Sequence, residues 1–382
     1  MILRTLQDLI SCDRVLIRVD YNVPCDFSGA ILDHTRIQAS LPTIHHFLNK
    51  KTKMILLSHK GRPQGKADSQ ETLLPCARAL ETMLQRPVRF IQDISSCSFQ
   101  DEITLLENMR FHPAEEHPKE HIDFIKKLAS YGNAYVNDAF SSSHRTHASI
   151  IDLPECFPRK ARCAGMNFAH EVTMLTTLLA SPKRPFHVIQ GGAKLSSKLP
   201  ALRALLPHID ELFIGGAMAW TLLQATGCSV GSSSYEDSSL AKEFIMLCKQ
   251  HHVTLHLPHD CIASSHDKIA RQDFPLQREW EAKDIGSVTL SEWLPRLTHA
   301  KSLFWNGPVG VYEMPAFAKG SENLALALAS YSMDRIIGGG DTVAVLNQLQ
   351  LASQFTHVSL GGGATLAFLA QGHLPGIDVL LK

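Results

Sequence analysis

The sequence predicts an α/β protein built as two doubly wound parallel-sheet lobes joined by a hinge helix. Three observations carry this. The chain has 382 residues, about two domains at roughly 100–200 residues each. Short apolar runs alternate with helical patterns along the whole chain, which means parallel sheets with helices on both faces. Near the middle, PRKARCAGMN combines Pro, Gly and clustered charge, and one long helical pattern follows it.

The elements follow in order. RVLIRVD, KMILLSHKG, ITLLENMRF and AYVNDAF are predicted as buried strands in the first half. HTRIQASLPTIHHFLNK, SQETLLPCARALETML and HIDFIKKLASYG, between them, have apolar residues at helical spacing. FAHEVTMLTTLL is the joining helix, ended by SPKRP. In the second half the predicted strands are PFHVIQ, ELFIGG, VTLHLPHD, SLFWNG, RIIGGG and THVSLGGG, with SSLAKEFIMLCKQ and FAKGSENLALALAS as helices. The expected lobes are residues 1–165 and 166–372, with the tail 373–382 packing back on the first.

Lys plus Arg and Asp plus Glu are 37 each, so the net charge is zero. That excludes a generic nucleic-acid binder, which carries a basic excess. Residues 1–165 hold 21 basic and 19 acidic side chains and residues 166–382 hold 16 and 18, so any polarity lies in placement. Nine Cys, an odd number without C-x-x-C, argue against a disulfide framework or zinc ribbon and fit a reducing cytosol. The start MILRTLQDLI meets Arg4 and Asp8 too early for a signal peptide. The uncharged stretch Thr342 to Ile377 contains five Gly with His, Gln and Ser, so no membrane span is expected.

Ligands of α/β sheets bind outside the C-terminal ends of the strands. In the first half those ends carry cations. Asp20 and Asn22 end the first strand, Arg36 opens the next helix, and His59 and Arg62 follow ILLS; Arg110, His112, His144, Arg145 and His147 come later. Converging Arg and His suit a small polyanion, because guanidinium binds carboxylate or phosphate in bidentate fashion. Glu115 and Glu116, in a Pro- and His-rich loop, are expected to be solvated surface charge.

In the second half the strand ends carry glycine: Gly191-Gly192-Ala193-Lys194, Gly215-Gly216, Asn306-Gly307, Gly338-Gly339-Gly340-Asp341-Thr342 and Gly361-Gly362-Gly363. Glycine lets backbone approach a phosphate, and a helix N-terminus offers free N–H groups. Neither a P-loop nor a dinucleotide fingerprint is present; GRPQGK is one residue short and GGGATL lacks the third glycine. Asp341 would repel bare phosphate unless a cation intervenes. It suits Mg2+ held by one carboxylate plus substrate phosphates, and equally a helix N-cap; the two roles are compatible. Lys194 and Lys198, four apart, are expected on one face of a helix, as phosphate contacts or an exposed basic face. An anion site on one lobe and a Mg–nucleotide site on the other fit phosphoryl transfer with domain closure.

The segments RVDYNVP, HTRIQASLPTI, SHKGRP, LLENMRFHPAEE, YVNDAFSSSHRTHAS, GGAKLSSK, GGAMAWTLL, LFWNGPVGVYE, IIGGGDT and HVSLGGGATLAFL, in this order, closely resemble the phosphoglycerate kinase family from end to end. The resemblance implies reversible transfer between 1,3-bisphosphoglycerate and ADP, giving 3-phosphoglycerate and ATP with Mg2+, by a cytoplasmic monomer. It implies a 3-phosphoglycerate site in the stretches Asp20, Tyr21 and Asn22, Arg36, His59, Lys60, Gly61 and Arg62, with Arg110 and Arg145. On the nucleotide side it implies Lys194, Lys198, Asn306, Glu313 near the ribose, and Gly339, Gly340, Asp341 and Thr342 around phosphates and metal. Arg36, Lys198, Gly361 and Gly362 are the implied catalytic set. Lys60, Ser141-Ser142-Ser143 and His259 depart from the family pattern, and the stretch around Ile262–Ile285 is trimmed, so adenine contacts stay unassigned. A non-catalytic two-lobed anion-binding protein is the rival reading, and a dehydrogenase lacks its fingerprint.

Overall fold

The computed structural model describes residues 2–94 and 100–382; Cys97 lies outside them. The chain forms two compact units, residues 1–173 with 373–382, and residues 174–372.

In the first unit six strands, β1 (Arg14–Arg18), β2 (Lys53–Leu57), β3 (Arg89–Ile91), β4 (Ile103–Leu106), β5 (Ala134–Asn137) and β6 (Arg162–Ala164), form one parallel sheet in the order β3-β4-β2-β1-β5-β6. β1, β2 and β5 are buried almost throughout, because helices cover both faces of a parallel sheet and its strands read as continuous apolar runs. β3 and β6, three residues each, are too short to leave such a run. The tail residues belong to this unit: Leu3 bridges Leu381, the Arg4 N–H donates to the Leu380 carbonyl at 3.0 Å, and Lys382 pairs with Asp8 at 2.6 Å.

The helix Met166–Ala180 crosses the division between units. The sequence places the division before this helix, near residue 165. The contact boundary falls at Thr173–Met174 because the first turn is tied to the first unit. The Met166 N–H donates to Thr43 Oγ1 and the Phe168 N–H to the buried Asp138 carboxylate.

In the second unit β7 (Phe186–Gln190), β8 (Glu211–Ile214), β9 (Thr254–His256), β13 (Ser302–Asn306), β14 (Asp334–Gly338) and β15 (His357–Val358) form a parallel sheet ordered β15-β14-β13-β7-β8-β9. Trp293, Trp305, Phe213, Leu303 and Leu324 pack in its core. A third sheet was not expected. β10 (Asp260–Ser265), β11 (Lys268–Asp273) and β12 (Glu281–Ile285) pair antiparallel in the order β11-β10-β12. VTLHLPHD is thus two strands rather than one, parted at Leu257–His259 around Pro258, whose missing N–H ends the ladder.

Candidate functional site

Each parallel sheet has a topological switch point, where chain direction across the sheet reverses and a crevice opens at the strand C-termini. In the first unit it lies at β1 and β5, in the second at β7 and β13.

Beyond β1, the Asp20 carboxylate pairs with Arg36, which lies in the first turn of the helix Thr35–Asn49. Ser141 Oγ donates to the same carboxylate at 2.5 Å. The Asn22 N–H reaches Asp20 Oδ1 at 3.2 Å, and Asn22 Oδ1 accepts from the Gly61 N–H at 3.0 Å. Arg110 donates to the Gly61 carbonyl at 2.5 Å and lies 3.5 Å from Glu116. Arg36, Asp20, Asn22, Gly61 and Arg110 therefore form one hydrogen-bonded chain. Gly61 has φ +59°, and a Cβ there would overlap the Glu71 carboxylate.

His59 sits buried beneath this chain, with Nδ1 2.8 Å from Arg18 Nη2. Guanidinium only donates, so Nδ1 accepts and Nε2 carries the proton. Burial first, then the Arg18 and Arg110 charges, hold His59 well below its usual range, so it stays neutral. Burial and the neighbouring arginines likewise lower His147 to about 3.

The remaining expected residues differ in their surroundings. Tyr21 is fully buried, its hydroxyl 3.0 Å from Ser40, so its ring belongs to the core. Buried Lys60 points its ammonium at the Gln70 carbonyl, 2.7 Å away. Arg62 and Arg145 are exposed. Glu115 is a correction: it is buried, not solvated, and accepts from Ser149 Oγ at 2.6 Å and the Ser149 N–H at 3.0 Å. Fully buried Arg18 also donates to Ser149 Oγ, at 2.9 Å, so Ser149 bridges the two charges. Glu116 is partly exposed. The residues missed in the sequence are Arg18, Ser141 and Ser149. Ser141 was visible only as a departure from the family pattern.

The second unit builds its site from backbone. The Gly191 N–H donates to the Asn306 carbonyl at 2.8 Å and the Gly192 N–H to the Pro308 carbonyl at 3.0 Å. A Cβ on Gly191 would overlap the carbonyls of Gly307 and Pro308, so glycine is what lets the β7 and β13 loops touch. Three helices begin around a cavity of about 360 Å³ lined by Lys194, Lys198, Asn306, Gly340, Asp341 and Gly362, among others. They are Leu195–Leu205, Gly340–Gln348 and Gly363–Gln371, and none has a side-chain bond from its N-cap among the described residues. Such ends present N–H groups and the positive pole of the helix dipole.

Details differ from the expectations. Lys194 is the extended N-cap of its helix rather than part of a helical face with Lys198, yet both line the cavity. Gly339, at φ +87°, is the N-cap of the next helix; Asp341 lies inside its first turn. Thr342 is buried and accepts the Gly307 N–H at 2.7 Å, so it braces the loop. Gly361 is buried with its N–H on Ser359, while Gly362 lines the cavity. Burial lowers Lys198, and the Asp341 charge partly restores it. Asn306 is buried, its Oδ1 takes 3.1 Å from Gln190 Nε2, and its Nδ2 has no partner among the described residues. Gln190 is a positioning residue the sequence did not announce. A second cavity of about 460 Å³ continues past Asp341 and Pro308, with Trp220, Lys283, Tyr312 and Glu313 in its wall.

No group of three or more His, Cys, Asp or Glu able to hold a metal occurs among the described residues. Asp341 is a single carboxylate whose Oδ1 lies 3.5 Å from the Tyr312 hydroxyl. A lone carboxylate beside N–H groups suits Mg2+, which commonly keeps waters and shares substrate phosphates. No helix among the described residues is long and apolar enough to cross a membrane.

Two switch-point crevices on two parallel-sheet units, one rich in guanidinium and one in helix N-termini, put the chain in the class of two-domain α/β proteins with an anion-suited surface on each domain. The model of the phosphoglycerate kinase family matches residues 6–372. The chain is 42% identical over 386 residues to the phosphoglycerate kinase of Chlamydia abortus, covering 96% of this chain and 95% of that one. With that of Moorella thermoacetica it shares 41% identity over 99% of each. The solved structure of phosphoglycerate kinase from Coxiella burnetii superposes with a TM-score of 0.87 at 34% identity, over 100% of both chains. The chain belongs to the phosphoglycerate kinase family. It is accordingly a kinase of glycolysis whose phosphoryl acceptor is a carboxyl group.

Proposed function

We propose that the first unit binds 3-phosphoglycerate or 1,3-bisphosphoglycerate and the second binds ADP or ATP with Mg2+. The observation that carries this is the cavity where three helix N-termini meet Lys198 and the lone carboxylate Asp341. Backbone N–H groups and ammonium receive phosphates there; Asp341 would help hold the metal, which would supply charge neutralisation. Asn306 Nδ2, without a partner among the described residues, supplies a further donor. The second cavity, with Glu313 and Tyr312, is the ribose and base side.

On the acceptor side, Arg36, Arg110 and neutral His59 receive the carboxylate and phosphate, with exposed Arg62 and Arg145 completing the positive field. Asp20 and Asn22 hold Arg36 and Gly61 in register. The acceptor carboxylate is already ionised at neutral pH, so the reaction needs no general base. Catalysis is positioning plus stabilisation of a metaphosphate-like group, with Arg36 and Lys198 as the main protein cations. Acceptor and nucleotide bind on different units, and the reading includes hinge bending with domain closure. A monomer in the cytoplasm completes the proposal.

The test is a coupled assay of ATP formation from 1,3-bisphosphoglycerate and ADP, with and without Mg2+, on wild type and Asp341→Ala. Turnover should require the metal, and the variant should need about 10–100-fold more of it. Metal-independent turnover, or an unchanged metal requirement in the variant, would overturn the assignment.

A further inference from the structure

We propose that the first unit carries a second anion site, at the opposite end of its sheet from Arg36, that takes a small polyphosphate chain. The site is a cavity of about 740 Å³ where the chain enters β1, β2 and β5 at their N-terminal ends. This volume lies within the range of small-molecule sites. It exceeds the two cavities of the second unit described above.

Its charge is what points to a ligand. Arg14, Lys50, Lys51 and Lys53 line it against a single carboxylate, Asp13. A surplus of three positive charges thus gathers in one cavity of a chain whose total is zero. The helix Thr35–Asn49 ends here, and a cation at a helix C-terminus is ordinary. That accounts for Lys50. It does not account for Arg14 and Lys53, which come from two strands. Arg14 Nη1 is fixed on the Tyr131 carbonyl at 3.1 Å, while its Nε is buried without a partner among the described residues. Lys53 is steadied by Gln100 at 3.1 Å. A guanidinium held in place, with exposed ammonium groups beside it, matches successive phosphates: fork geometry from Arg, point charges from Lys. The reaction uses none of these residues.

The test titrates inorganic tripolyphosphate calorimetrically into the full chain with 3-phosphoglycerate and a nucleotide saturating, so that the two reaction sites are filled. One further site is expected, weakening as salt rises. Lys50 and Lys51 are exposed, so Lys50→Glu/Lys51→Glu should leave kcat unchanged while lowering that affinity at least roughly tenfold. If charge reversal disturbs the fold, Lys50→Gln/Lys51→Gln should give the same loss in smaller measure. Cys12 lines the same cavity, so its alkylation, mapped by mass spectrometry, should slow when tripolyphosphate is present. Absence of binding beyond the filled sites, or binding indifferent to both variants, would overturn the proposal.

Discussion

The two units offer anions opposite kinds of surface. On the proposed reading side chains do the work in the first, and its buried or half-buried ones are committed before any ligand arrives, Arg36 to Asp20, Arg110 to Gly61 and His59 to Arg18, while Arg62 and Arg145 stay exposed. In the second, backbone does it, through helix N-termini whose N-caps make no side-chain bond among the described residues. A side-chain site tunes charge and shape but depends on distant partners. A backbone site is set by the fold and by the glycines that let its loops approach.

The sharpest way to break this contrast is Arg36→Ala. If the first site works through guanidinium charge, kcat should fall roughly 10²–10³-fold, the range for removing one transition-state donor, while the thermal midpoint moves little. Near-normal turnover with a folded protein would refute it. Next comes Gly191→Ala, aimed at the backbone site. A Cβ there strikes two carbonyls, and forcing the β7 and β13 loops apart should cost about 1–3 kcal/mol in denaturant unfolding. A neutral result would mean the close approach is not needed.

A smaller effect is expected for Asn306→Ala. If Nδ2 awaits a nucleotide oxygen, KM for nucleotide should rise roughly tenfold, with kcat less affected, since one hydrogen bond to a charged group is worth about 1.5–3 kcal/mol. An unchanged KM would leave the orphan donor without that role. The last effect is read as a pH dependence of stability rather than as turnover and concerns Asp284, buried beside Gly310 and Gly320 and accepting the Gly320 N–H at 2.7 Å. Burial raises its carboxyl to about 7. Its folded value lies above its unfolded one near 4, so the folded state keeps the proton longer. This group's contribution to stability therefore falls as pH rises from about 4 to about 7. Asp284→Asn should flatten that part of the melting profile; a profile identical to wild type would remove Asp284 from it.

The same contrast governs what could be read from sequence. The glycine loops were legible because an apolar strand, a Gly pair and a helix are consecutive, and consecutive residues specify them. The buried strands were legible for the same reason. The antiparallel sheet was not, since every residue of β11 is exposed or half-buried and only Ile269 and Ala270 in it are apolar, which leaves no apolar run. Nor was the burial of Glu115. Its partner Ser149 lies 34 residues away and Arg18 bonds Ser149 from 131 residues away, so its environment exists only after folding. Lys60 and Tyr21 lie within matched stretches, yet their side chains turn to Gln70 and Ser40. A match in sequence fixes a position along the strand end, not the direction of a side chain.

One feature of the fold bears on how the protein is made. The first unit is completed by residues 373–382, which bring Leu381 beside Leu3. The ribosome therefore releases every residue of the second unit before it releases the last of the first. Vectorial synthesis ordinarily lets the N-terminal domain fold first. Here the contacts of Leu3 with Leu381 and of Asp8 with Lys382 can form only after the whole chain of the second unit has been made.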